Sequence, residues 1–210
     1  QSCLLDQMLL RGELTPATVD AIARRIPDFH GHTAIAGNES PFGTPERAHL
    51  PVAENFAQIR PRLRDKEDLI RLDKLERWSE REYQARIDAL AARKARGLVR
   101  ECHGDLHLGN MALLDGESVP FDCIEFSDNL RWIDVISEAA FLTMDLQDRG
   151  RPDLARRFLN AYLEQTGDYD GLEVLRYYLV YRAMVRAKVA CIRAGQEKLS
   201  ASYWTQYRNH

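Results

Sequence analysis

The chain has little cysteine, no strong charge of either sign and no long apolar run. Its four cysteines, Cys3, Cys102, Cys123 and Cys191, are scattered through 210 residues, and none forms a C-x-x-C pair. That excludes a disulfide-stapled scaffold and reads instead as buried thiols in a reducing cytoplasm. No apolar stretch approaches the length of a membrane span, and no charged-then-apolar leader is present, so neither a membrane nor a secretory destination is expected. Lys and Arg number 29 against 32 Asp and Glu, a net charge of −3, which gives no electrostatic case for nucleic acid. Internal repeats and low-complexity tracts are also missing. A first residue of Gln1 rather than Met reads as a fragment or a processed product.

What is present is ordinary globular material, 45% apolar and 29% charged. The length suits a single domain over residues 1–210. Helical periodicity dominates. Leu4, Leu5, Met8 and Leu9 form a first stripe, and Thr15-Pro16 opens a helix expected to reach about Phe29. Glycines and prolines make residues 30–50 a long loop, with a short helix after Pro51. The longest helical pattern covers 66–95 and stops before Gly97. Leu98 to Cys102 reads as a strand, and Met111–Leu114, Asp115-Gly116 and Val119–Phe121 as a hairpin. From Trp132 onward the pattern is helical, in segments 132–148, 152–167, 171–194 and one running to the C-terminus. The expected class is α+β with helix in large excess.

One stretch carries chemistry. His103-Gly104-Asp105-Leu106-His107-Leu108-Gly109-Asn110 is followed twelve residues later by Asp122. Phosphoryl transfer needs a carboxylate to orient an attacking hydroxyl and accept its proton, and hard oxygen ligands to hold Mg²⁺ against the phosphates. An aspartate five residues before an asparagine, with a second aspartate a hairpin's length downstream, has that spacing.

These residues, with Phe121-Asp122-Cys123-Ile124-Glu125-Phe126, resemble the aminoglycoside phosphotransferase and choline kinase-like superfamily. The form Phe-Asp-Cys-Ile-Glu-Phe is most similar to a bacterial group in which such a domain is fused to a P-loop ATPase domain. The resemblance implies a protein-kinase-like C-lobe, with the small hairpin carrying the motif. It implies ATP and Mg²⁺ as cofactors and a small-molecule hydroxyl as acceptor. It assigns Asp105 as the catalytic base and places His103, Asn110 and Asp122 around the nucleotide. Asn110 and Asp122 would be the metal ligands. An aspartate at the place of Asp134 would hydrogen-bond the catalytic loop and hold it rigid. The N-lobe of that fold carries a Gly-rich loop and a strand-borne lysine, and neither motif is found here. By the resemblance, Gln1 lies near the hinge, the N-lobe is absent, and the isolated chain is expected to be inactive.

Each residue has a plainer alternative. Aspartate in a Gly-rich turn often only bonds backbone N–H groups. Asp134 also suits a helix N-terminus. Glu125 could reach the metal through water or pair with an arginine. His103 and His107 are four apart, but Gly104 and Gly109 argue against the helix that a zinc pair would need. The Gly104–Gly109 gap fits a Walker A loop, yet Asn110 and Met111 stand where Lys and Ser or Thr are required. Arg182 and Arg186 sit on an otherwise apolar helix, so at least one is expected to be buried, paired with a carboxylate, and near substrate or an active-site acid. The rival to an enzyme is a kinase-like lobe kept as a binding or regulatory module beside an ATPase.

Overall fold

The computed structural model describes residues 3–197. The helix expected at the extreme C-terminus lies outside them. Among the described residues eight α-helices and four short strands follow one another: α1 Leu5–Leu10, α2 Pro16–His32, α3 Pro45–Ile59, α4 Lys66–Ala95, β1 Val99–Glu101, β2 Met111–Leu114, β3 Glu117–Pro120, α5 Asp128–Arg131, β4 Trp132–Asp134, α6 Val135–Asp148, α7 Pro152–Thr166 and α8 Leu172–Glu197.

Capping residues set several of these starts. The Thr15 hydroxyl accepts from the N–H of Thr18 at 3.2 Å, and Pro16 fills the first turn where no donor is needed. Thr44 and Pro45 repeat the device, with Arg47 N–H donating to Thr44 at 3.3 Å. The helix expected only after Pro51 therefore begins six residues earlier, with Pro51 inside it. Pro51 has no N–H for the carbonyl of Arg47, four residues back. Asn129 Nδ2 donates to that oxygen instead, at 3.4 Å.

The segment 33–44 lies against β1. Ala36 N–H donates to Val99 O and Glu101 N–H to Ala34 O, both at 2.9 Å. Phe42 stacks on Trp132 with ring centroids 5.9 Å apart, and Lys94 donates to the carbonyl of Ser40. Gly43 has φ +67°, and a Cβ there would stand 2.3 Å from a Val99 methyl, so only glycine fits.

The strands form two antiparallel pairs. β2 and β3 make the expected hairpin, with Met111 opposite Pro120 and Leu114 opposite Glu117. Asp115 and Gly116 turn it with φ of +50° and +84°, as a two-residue primed turn requires. Trp132–Asp134, read from sequence as helix, is instead strand β4, paired with β1 so that Val99 faces Asp134 and Glu101 faces Trp132. Three residues are too few to show a period, and pairing with β1 decides their conformation.

α6 is the central element. Every residue from Val135 to Leu146 is buried, and α7 and α8 pack on it while α2 packs on α7. Tyr162, Phe158, Phe141, Ile22 and Ile26 fill the core around it. One buried ion cluster ties this core to α4. Arg93, 3% exposed, donates to both oxygens of Asp134 at 2.6 and 2.9 Å and to both of Asp168 at 2.8 and 2.6 Å. The Asp134 carboxylate also caps α6 by accepting from Ile136 N–H at 2.9 Å.

Candidate active site

Residues 103–110 follow β1 and run along α6 from the level of Glu138 to that of Asp145. Gly104 has φ +87°, and a Cβ there would meet the Leu130 carbonyl at 2.7 Å. Glu138 of α6 sits beneath the turn with no exposed surface. Its carboxylate accepts from Gly104 N–H at 2.6 Å, His103 N–H at 3.2 Å and His30 Nε2 at 2.9 Å. Burial raises the Glu138 carboxyl, but the His30 contact and the Gly104 N–H outweigh it and leave it below the usual carboxylate range. Two turns further along α6, Asp145 accepts from Leu108 N–H at 3.0 Å. Two buried carboxylates of one helix therefore hold the loop by its backbone.

The histidines fix the loop from within. His103 Nδ1 accepts from Asp105 N–H at 3.3 Å, which makes Nε2 the protonated nitrogen, and Nε2 donates to Phe121 O at 2.8 Å. His107 Nδ1 accepts from Gly109 N–H at 3.0 Å, so its Nε2–H is directed to Asp105 Oδ2, 3.6 Å away. The two rings share no metal-binding point, and the zinc reading has no geometry behind it.

Asp105 is half-buried. Asn110 Nδ2 donates to its Oδ2 at 2.9 Å and to its main-chain oxygen at 3.1 Å. Asn110 and His107 thus both address Oδ2, and Oδ1 accepts no hydrogen bond among the described residues. Burial pushes the Asp105 carboxyl up. Hydrogen bonding and charge from His107, the Arg182 charge and the Asn110 amide together overcome this and hold it below the usual range. Asp105 is therefore ionised near neutral pH, as a proton acceptor must be.

Asp122 is brought beside these groups by the backbone. Phe121 N–H donates to Asn110 O and Ile124 N–H to His103 O, both at 3.0 Å. Asp122 lies between these anchors, exposed and in the left-handed region at φ +60°. Such a conformation is uncommon for a residue with a side chain, and concentrates at ligand-binding segments.

Residues 3–177 match the phosphotransferase enzyme family, 175 of the 210 residues. The chain belongs to that family. It is 35% identical over 205 residues to uncharacterized proteins of Mycobacterium bovis and Mycobacterium tuberculosis, covering 94% of this chain and 40% of theirs. The chain thus spans about two-fifths of the length of the curated relatives it matches. A solved glucosamine kinase shares its fold with a TM-score of 0.55 and 21% identity, over 90% of this chain and 53% of that one.

Within this phosphotransferase-family chain, the donor set at the loop fits Mg²⁺. Asn110 uses its Nδ2 on Asp105, which leaves the amide oxygen for a cation. Asp122 adds a carboxylate with no hydrogen bond or ion pair among the described residues. Both are hard oxygen donors, the class that Mg²⁺ prefers.

The remaining sequence-predicted residues fall less neatly. Glu125 is exposed and Arg186 half-buried, and neither has a hydrogen bond or ion pair among the described residues. Arg182 is 3% exposed. Its partners are not carboxylates, however: Nε donates to Ser137 O, one terminal nitrogen to Ser137 Oγ and the other to Gly104 O, at 3.0, 3.1 and 2.9 Å. Among the described residues, Asp134 makes no side-chain hydrogen bond to the 103–110 loop. Its carboxylate is taken by Arg93 and its own helix. The bracing role falls one helical turn later, to Glu138, whose carboxylate accepts from the loop's backbone. Sequence reasoning offers Glu138 only as a carboxylate candidate for the buried arginine and does not name Asp145, although acids at two positions of a largely apolar helix are a legible sign of buried partners. His30 and Arg93 carried no such sign, since each sits among other polar residues in sequence.

Proposed function

We propose that this chain supplies the catalytic loop and metal ligands of an ATP-dependent phosphotransferase that acts on a hydroxyl of a small molecule. The observation that carries the reading is the Asp105 carboxylate. One oxygen is held by Asn110 and directed to by His107, and the other is left to receive the acceptor's hydroxyl proton. Asp105 Oδ1 aligns the hydroxyl for in-line attack on the γ-phosphate. Mg²⁺, when bound, supplies charge that neutralises the nucleotide phosphates, and Asn110 and Asp122 are the residues to hold it. His103 keeps Asp105 and the Phe121–Asp122 segment in one rigid unit. For the whole protein the reading includes a nucleotide-covering N-lobe and a fused P-loop ATPase domain.

The test uses the full-length parent protein with γ-labelled ATP and Mg²⁺. A panel of hydroxyl-bearing small molecules is offered, with glucosamine and other amino sugars first because of the structural neighbour. Label should move to one class of acceptor, and Asp105→Asn should abolish the transfer. Transfer that persists undiminished in Asp105→Asn would overturn the assignment. Nucleotide binding with no transfer to any acceptor would favour the regulatory-module alternative.

A further inference from the structure

We infer that Arg182 is a positioning residue of this site: it fixes the peptide unit between Gly104 and Asp105, and so the direction of the Asp105 carboxylate. The inference rests on the phosphotransfer reading for its consequence, but not for its geometry. The oxygen of that peptide unit accepts from Arg182 at 2.9 Å, and its N–H donates to His103 Nδ1 at 3.3 Å. The preceding unit is held by Glu138 through Gly104 N–H at 2.6 Å. Gly104 at φ +87° gives the turn no side chain of its own to pack, so external partners must define it.

The chemistry of Arg182 is unusual for a core residue. A buried cation ordinarily meets a carboxylate, as Arg93 does twice. Arg182 meets only neutral oxygens, and Phe141 and Tyr181 face its guanidinium at 4.8 and 5.0 Å from their ring centroids. An apolar side chain would serve packing at least as well. What an apolar residue lacks is a planar fork that joins α6, through Ser137 O and Oγ, to the catalytic loop. A buried guanidinium without a carboxylate partner therefore stands where it can hold the loop.

The test is hydrogen exchange in the full-length protein, with Arg182→Met and Arg182→Lys. In Arg182→Met, exchange of the segment 103–110 should rise at least about tenfold, while α7 stays within about twofold of wild type. Arg182→Lys keeps the charge but reaches fewer oxygens, and should fall between. In parallel, MgATP turnover with water as acceptor should fall about 100-fold in kcat with KM for ATP nearly unchanged, and added guanidinium should restore part of the rate to Arg182→Ala. If segment 103–110 exchanges as in wild type in the variants that fold, the inference is overturned. If Arg182→Met does not fold, Arg182→Lys decides by the same measurement. A wild-type protein without turnover would count against the phosphotransfer reading, and the exchange result would still stand for or against the clamp.

Discussion

Replacing Glu138 by Gln tests the support of the loop directly. The side chain is fully buried, and its carboxylate accepts three hydrogen bonds, from Gly104 N–H, His103 N–H and His30. Glutamine keeps the shape and one acceptor oxygen. Whichever way the amide lies, its NH₂ group faces a backbone N–H, so that of Gly104 or of His103 is left without a partner. Hydrogen bonds to a charged group contribute about 1.5–3 kcal/mol each, and breaking a buried ionic contact costs about 3–5 kcal/mol. At about 2–4 °C per kcal/mol for a domain of this size, the thermal midpoint should drop by roughly 10 °C. The loop should shift as well, and a displacement near 1 Å costs on the order of 100-fold in rate. Glu138→Asp, which retains the charge but is one methylene short, should lose less stability. Circular dichroism melts and a phosphotransfer assay on the same preparations measure both effects. A Gln variant that melts within about 2 °C of wild type and keeps full activity would refute the reasoning.

Other outcomes follow from the same contacts. The folded Glu138 carboxyl titrates below its ordinary value of 4.5, so its contribution is complete above that pH and is lost as pH falls through the lower folded value. Wild type should therefore lose more of its melting temperature than Glu138→Gln does between about pH 5 and pH 3; parallel curves would count against it. Arg93→Ala leaves the carboxylates of Asp134 and Asp168 buried without their cation, and should cost about 3–5 kcal/mol in denaturant unfolding; a loss under about 1 kcal/mol would mean that water replaces the guanidinium. Asp122→Ala should abolish Mg²⁺-dependent transfer by the full-length protein, while Asn110→Ala should lose activity that extra Mg²⁺ partly restores, because a neutral ligand contributes less charge. A rate for Asp122→Ala within a few-fold of wild type, about 1 kcal/mol in barrier, would remove it from the metal site.

Much of the element order was legible because local signals agreed. Thr15-Pro16, Asp115-Gly116 and the long stripe of α4 each carry their own punctuation. Two boundaries were misread for want of such signals. Pro51 looks like a helix start, and the carbonyl it leaves without a helical N–H inside α3 is met by the amide of Asn129, 78 residues away in sequence. Trp132–Asp134 has no period to read, and becomes a strand only because β1 lies beside it.

By itself the sequence determined which groups lie together at the candidate site. Asp105, Asn110 and Asp122 are tied to one loop and one hairpin, so their spacing along the chain nearly fixes their spacing in space. Tertiary structure decided what holds them. Glu138, Asp145, Arg182 and His30 come from 34 to 78 residues away or from the other side of the core. The backbone N–H and C=O groups of a glycine turn must find partners once buried. Which distant side chains supply them depends on how α2, α6 and α8 pack, and no local pattern in the chain encodes that packing.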